Sequence, residues 1–458
     1  MRRPGFVSLD YTLHDLYNLD GGSASKIVLV FFPPFTENPR LGSGGPPRER
    51  FVYDSFWELG SRQHENSALD QQVLPQRYGY TAGKIPVIGI DSQKRGSYCA
   101  SEHNDYSTSN LFRSFQKIHE SQRPIGKIVR CFADITVPPE GRISVIAPSD
   151  NFSHLLHTID PDIHYRLASK RGLAMSNLPM PKTMVVDPTW NADLVSDEAY
   201  FQTDIQRMVN CIDAHPVPYI LKLPQTISGM GTFKVFNEKD KEALRARLCP
   251  WLQHMLRRIN KSNQHLFPGS LVVQEFIRGS TMSLSIFVTK KGRAVFVTCS
   301  DQIFNEKGEW TGGTVSYKRQ SSLEKEYSEV ATKVAQFLHD NGYYGPAGAD
   351  VLTDESGNKY VVDLNVRLTG TYHFGPLQGH FTQRGLWEAM MLKYYFLCSQ
   401  EVFEKAFEEE LQNGRVIIIG WAQDETKDRS YGAITLGAED ELSLQQLAQR
   451  IQSYESQE

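Results

Sequence analysis

The chain has 458 residues, 49 Lys and Arg against 53 Asp and Glu, a net charge of −4 and 40% hydrophobic residues. Interspersed charge gives no basic footprint for nucleic acid, no apolar run approaches the ~18 residues of a membrane span, and Met1-Arg2-Arg3-Pro4-Gly5 leads into Asp10, Asp15 and Asp20 rather than an apolar leader core. Six dispersed cysteines (Cys99, Cys131, Cys211, Cys249, Cys299, Cys398) with no Cys-x-x-Cys pair read as reduced core thiols and argue against structural zinc, so a cytoplasmic protein of about three domains is expected.

Short apolar runs at 26–32, 85–90, 128–135 and 143–147 alternate with helical stretches such as 111–119, the pattern of an open α/β layer. Residues 33–50, rich in Pro, Gly and Arg, and 60–82, rich in Gln, Ser and Tyr, are predicted as long loops. Farther on, the run at 218–222 delivers Lys222 on a strand, and Ser228-Gly229-Met230-Gly231 follows as a loop. Gly229 and Gly231 let backbone N–H groups approach phosphate oxygens, for which Lys222 supplies a point charge. No Gly-Lys-Ser/Thr follows, so this is not a Walker loop, and taken alone a structural hairpin between Leu221 and Val235 is the simpler account.

Leu271-Val-Val-Gln274-Glu275-Phe276-Ile277 reads as an apolar strand entering a polar bend, with a second strand at 284–288. Residues 300–319 combine Trp310, Gly312, Gly313, Lys318 and Arg319, a loop able to cover a carboxylate substrate and exclude water, or equally an ordinary surface hairpin. Next comes Asp350-Val-Leu-Thr-Asp354-Glu-Ser-Gly-Asn358-Lys-Tyr-Val-Val-Asp363-Leu-Asn365-Val-Arg367. Its turn residues 354–358 predict a hairpin that brings Asp350 and Asp363 together, and period two puts Asn365 on their face. Three oxygen donors on one face suit a hard cation that keeps waters, and Arg367 adds a fixed positive charge; a polar hairpin edge is the alternative. Thr369-Gly-Thr371-Tyr-His373-Phe-Gly375 follows directly and is placed for substrate contact, His373 and His380 being either contacts or satisfied core histidines. The end of the chain predicts an acidic helix at 401–411 whose Glu404, Glu408, Glu409 and Glu410 form a solvated face, strands at 415–422 and 433–438, and a helix at 442–454.

In order and spacing these motifs resemble the ATP-grasp superfamily over roughly residues 155–395, and the first part resembles the pre-ATP-grasp domain of its peptide and amide ligases. The resemblance implies an α/β architecture of two lobes clamping ATP: a pre-ATP-grasp domain at 1–154, a small lobe at 155–265, a large lobe at 266–396 and a closing module at 397–458, whose strands extend the main sheet. It implies that Lys170, Lys222 and Ser228, Gly229, Met230 and Gly231 hold phosphates. Gln274, Glu275, Phe276 and Ile277 form the adenine hinge, and Asp350, Asp363 and Asn365 bind Mg2+, with Mn2+ a substitute. Two positions depart from the family. Thr281 stands where a ribose-binding glutamate is usual, and Gly348 where some members carry an oxyanion arginine, a role that falls to Arg367. The activity implied is ADP-forming ligation of a small carboxylate, amino acids being one class, to an amine in small-molecule biosynthesis. Trp310, Arg319, Thr371 and His373 are substrate candidates, and a homodimer is compatible with the pattern. Carboxylase-like or kinase-like chemistry, or a nucleotide-binding module without ligation, are the alternatives.

Overall fold

The computed structural model describes residues 6–32, 50–53, 61–90, 112–129, 132–194, 197–226, 231–306, 308, 310–424 and 429–454. The apolar runs of the first part become β1 (Ile27–Phe31), β2 (Pro86–Ile90), β3 (Ile125–Val129) and β4 (Arg142–Val145), a parallel sheet in the order β3-β2-β1-β4. All five residues of β1 are buried, as expected of a parallel strand covered on both faces. The third strand begins three residues earlier than predicted, and the helical stretch at 111–119 is a short 3-10 helix, Arg113–Lys117.

The larger correction concerns residues 60–82, which are not a loop: Ser61–Gly79 is a 19-residue helix. Its polar composition hid it, because Gln71, Gln76 and Arg77 are buried along with Leu69, Val73 and Leu74. The Gln76 amide explains the burial. Its Nε2 donates to the Trp421 carbonyl at 2.8 Å and its Oε1 accepts from the Trp421 N–H at 3.0 Å. The predicted loop at 33–50 lies outside the described residues except Arg50.

A second sheet is built from β5 (Thr183–Val186), β6 (Tyr219–Lys222), β7 (Thr232–Val235) and β8 (Leu271–Glu275), all antiparallel in the order β5-β8-β6-β7. It therefore runs past residue 265, and the chain changes sheet at 276–278. The third sheet comprises β9 (Gly279–Val288), β10 (Ala294–Phe304), β11 (Trp310–Ser316), β12 (Gly345–Asp354), β13 (Lys359–Asn365), β14 (Glu388–Phe396), β15 (Val416–Asp424) and β16 (Arg429–Ala438). Its order is β13-β12-β9-β10-β11-β14-β16-β15, so β15 and β16 do extend the main sheet.

Alternation divides that sheet. Leu284, Ala349, Val351 and Leu364 pack under the helix Gln320–Asp340, whose Leu323, Val330, Val334 and Leu338 complete one core. Ser283, Ser285, Asp350 and Asp363 are thereby turned to the opposite face. The acidic segment forms two helices, Gln400–Ala406 and Glu408–Asn413. Glu408 and Glu409 are exposed as predicted, but Glu404 shares Arg113 with Glu401, and Glu410 pairs with Arg450. Among the described residues no helix is long and apolar enough to cross a membrane.

Candidate active site

The β12–β13 hairpin forms as its sequence demands. Asp354 Oδ1 accepts the Ser356 and Asn358 N–H groups at 2.9 and 2.8 Å, and Gly357 takes φ +84°, so the turn is closed by its own side chain. The closure fixes the register, with Asp350 opposite Asp363 and Gly348 opposite Asn365. Across β9, Ser283 pairs with Asp350, and beyond it Ser300 of β10 pairs with Ser283. Ser283 and Gln302 both hydrogen-bond Asp350. Neither stood out in the sequence, although the Ser283-Leu-Ser285 alternation is a polar-face signal that strand register would have exploited.

Cations converge on this face. Lys170, the first residue of the helix Lys170–Ala174, reaches Asp363 Oδ1 at 2.5 Å, while its N–H donates to the Pro224 carbonyl at 2.9 Å. Lys222 ends β6 and is buried; its Nζ donates to Gln274 Oε1 at 2.8 Å and to the Val362 carbonyl at 2.5 Å. Arg367 donates from Nη2 to Asn365 Oδ1 at 2.8 Å. Lys222 thus reaches the hairpin from the small sheet and Lys170 from the helix Lys170–Ala174, and all three cations flank the facing carboxylates.

The titration behaviour follows. Burial, reinforced by the Asp363 charge, pushes the Asp350 carboxyl up to about 6. Burial also acts upward on Asp363, but Lys170, Lys222 and Arg367 outweigh it and hold this carboxyl below its usual range. Burial, with the nearby Lys170 charge, lowers the Lys222 ammonium to about 8 against the opposing pull of Asp363 and Asp350.

Among the described residues no group of three or more His, Cys, Asp or Glu side chains is placed to hold a metal ion. The donors here are two carboxylates and the Asn365 amide oxygen, an oxygen-only set that fits a hard cation retaining several waters. Gly348 explains the missing arginine. A Cβ there would run into the Thr369 methyl, and Thr369 is fastened to Ser285 by a 2.8 Å hydroxyl contact. The loop after Arg367 occupies the space a side chain at 348 would need.

Of the other predicted residues, Ser228, Gly229 and Met230 lie outside the described residues. Gly231, at φ +66°, returns its carbonyl to the Leu223 N–H at 2.8 Å and closes the hairpin. Gln274 is buried between Lys222 and Thr183, Glu275 donates its N–H to the Lys182 carbonyl, and Phe276 and Ile277 form the half-exposed crossing into β9. Phe276 packs edge-on against Phe236 at 5.0 Å. Thr281 is exposed on β9 beside Leu352 and carries no carboxylate.

The substrate candidates separate. Residues 300–304 and 310–316 belong to strands of the main sheet, β10 and β11, rather than to a covering loop. Trp310 lies against Gly370, and Thr371 bonds Ser300 at 3.0 Å, so both adjoin the loop that follows Arg367. Arg319 caps the helix Gln320–Asp340, which packs on the reverse face, and is exposed. His373 is buried against β16, bonded to Thr435 at 2.8 Å, and desolvation drives it down to about 3. His380 is buried beside the Gly414 carbonyl, 3.0 Å away. His164, not predicted, is buried with Nε2 2.7 Å from the carbonyl of Val366, between Asn365 and Arg367.

Residues 199–365 match a family model described as L-aspartate–L-methionine ligase, ATP grasp. Two tyramine–L-glutamate ligases are similar, from Methanocaldococcus fervens at 29% identity over 24% of this chain and 34% of that protein, and from Methanocaldococcus jannaschii at 24% identity over 37% and 53%. The chain thus spans about a third to a half of the length of these curated relatives. A solved structure of N5-carboxyaminoimidazole synthetase from Staphylococcus aureus complexed with ADP aligns at TM-score 0.45 and 12% identity, over 94% of this chain and 96% of that one. The stretch matched by that family model carries Lys222, Asp350, Asp363 and Asn365.

Proposed function

We propose that this protein is an ATP-dependent ligase that activates a small carboxylate as an acyl phosphate and couples it to an amine. The observation that carries the reading is the convergence of Lys170, Lys222 and Arg367 on the facing Asp350 and Asp363 at the join of two sheets. Asp350, Asp363 and Asn365 would hold Mg2+, or Mn2+, which when bound neutralises phosphate charge. Lys222 and Lys170 bind the phosphate oxygens, and backbone groups at 275–277 take the adenine. A substrate carboxylate oxygen attacks the γ-phosphorus, the bond to the β-phosphate oxygen breaks and ADP leaves. The amine nitrogen then attacks the acyl carbon with Arg367 beside the developing oxyanion; inorganic phosphate departs and the nitrogen loses a proton.

Amino acids as the carboxylate and amino acids or primary amines as the acceptor are the substrate classes proposed, in line with the names of the similar ligases. A cytoplasmic location belongs to the same reading, supported by Cys211, Cys249 and Cys299, none of which is in a disulfide. The test is nucleotide release with pooled amino acids, small carboxylic acids and amines, followed by mass spectrometry. Equal amounts of ADP, phosphate and amide are expected, and hydroxylamine without amine traps the acyl phosphate as a hydroxamate. AMP and pyrophosphate would overturn the mechanism; ADP with a stable phosphorylated product and no amine requirement would replace ligation with phosphoryl transfer.

A further inference from the structure

A cavity of about 400 Å³ lies where the first domain meets the closing module, walled by Val7, Ser114 and Lys117 on one side and by Leu411, Lys405 and the edge of β15 on the other. That volume suits a small-molecule ligand. The cavity shares no residue with the clamp. β15 stands six strand spacings from β12, and at about 4.8 Å each this is roughly 29 Å across the sheet.

The wall leaves specific groups unused. β15 is the last strand of its sheet, and Val416, Ile417 and Ile418 line the cavity. In an antiparallel pair only alternate residues turn their N–H and C=O toward the neighbour, so part of this backbone is turned away from β16. Among the described residues, no hydrogen bond from beyond β16 reaches the backbone of 416–418. Ser114 is buried, and its hydroxyl has no hydrogen-bond partner among the described residues. The charges are unequal as well. Of the carboxylates at the wall, Glu404 is held by Arg113 and Gln400 and Glu408 by Gln412. Lys117 and Lys405 are exposed and have no ion-pair partner among the described residues. Buried Val7 and Ile418 and half-buried Leu411 make the rest of the surface apolar. A complementary ligand has an apolar body, an amide to lie along a strand edge and an anionic group for the lysines.

We propose that this cavity binds a small N-acyl amino acid, with its amide against the outer edge of β15 and its carboxylate between Lys117 and Lys405. Such a ligand touches the first domain and the closing module at once and holds them together. The site goes beyond the ligase reading and stands independently of it.

The test uses the full chain. N-Acetyl-L-leucine, N-acetyl-L-methionine and N-acetyl-L-phenylalanine are titrated by ligand-observed NMR and by thermal melting. Each is compared with its C-terminal amide, which loses the charge, and with the parent acid lacking the acetamido group, which loses the strand-pairing amide. At least one acid is expected to bind one to one and raise the melting temperature, because it binds only the folded chain. Its two counterparts should bind about three- to tenfold more weakly, and Lys117→Met combined with Lys405→Met should weaken the acid by a similar factor, since exposed ion pairs are individually weak. Melting of the double variant without ligand confirms that it folds. Saturating ATP and Mg2+ should leave the ligand bound. A nonapeptide ending in the same residue tests the other source of this chemistry, a protein C-terminus. Binding of none of the three acids, equal binding of acid and amide, an unchanged affinity in the folded double variant, displacement by ATP, or tighter binding of the nonapeptide would overturn the site, and none of these results bears on ligation.

Discussion

Replacing Lys222 by Met should separate nucleotide binding from stability. The ammonium is buried and held by Gln274 Oε1 and the Val362 carbonyl. A charged hydrogen bond to phosphate contributes about 1.5 to 3 kcal/mol, so ATP affinity or turnover should fall roughly ten- to a hundredfold. Stability has two opposing parts. Burial moves the ammonium from its usual 10.5 to about 8, which at ~1.36 kcal/mol per unit costs the folded state about 3 kcal/mol. Met removes that cost but leaves two acceptors without their donor, at about 1 to 3 kcal/mol each, so the melting temperature should move little. Because the folded-state value is depressed, the cost is fully present below pH 8 and disappears as pH rises to 10.5. The wild type should therefore gain stability relative to the Lys222→Met variant across that window. ATP titration by calorimetry, with denaturant melts at pH 7.5 and 10, checks both parts. Unchanged ATP dependence would refute the phosphate role, and a parallel pH response would refute the burial argument.

The two clamp carboxylates should respond oppositely. Asp363→Asn removes the anion that serves Lys170, Lys222 and Arg367 and should lower the melting temperature, whereas Asp350→Asn relieves repulsion and should raise it; both should abolish turnover in an ADP-release assay. His164 is held neutral, pushed down to about 4 chiefly by burial, so protonation of the unfolded chain should cost about 3 kcal/mol of stability as pH falls from 6.5 to 4. Chemical denaturation of His164→Gln should show that part of the slope flattened. Gln76→Leu orphans the Trp421 N–H and carbonyl and should destabilise by about 2 to 4 kcal/mol, read from urea midpoints. Thr281→Glu should leave ATP affinity unchanged or tighter, since the position is exposed beside the 276–278 crossing; a large loss would place ribose elsewhere.

What the sequence revealed was local. The turn 354–358 carries its own closure in Asp354, so the facing of Asp350 and Asp363 could be read from spacing. Strands rich in Val and Ile announced themselves in all three sheets. What stayed hidden depended on partners far along the chain. Ser283 and Gln302 matter only because β9 and β10 lie next to β12, and His164 only because its ring meets Val366. Gln71, Gln76 and Arg77 made a helix look like a loop, since nothing near them in sequence shows what buries them. His373 has the composition of a contact residue, yet β16 supplies Thr435 and the core takes it.

The pairing of Gln76 with Trp421 also has a meaning for synthesis. These residues are 345 apart, and at about 5 to 20 residues per second a ribosome needs roughly 20 to 70 s to deliver the second after the first. A Cβ at Gly420 would meet the Val73 side chain at 2.9 Å, so the helix and β15 approach too closely for any larger residue to stand in for that glycine. The helix already meets β1 and β2, with Tyr78 stacked on Phe31, but until β15 emerges the amide of Gln76 lacks its strand partner. The packing around the helix Ser61–Gly79 is complete only with almost the last strand, and that interval is when a chaperone would find Val73, which faces Gly420, uncovered.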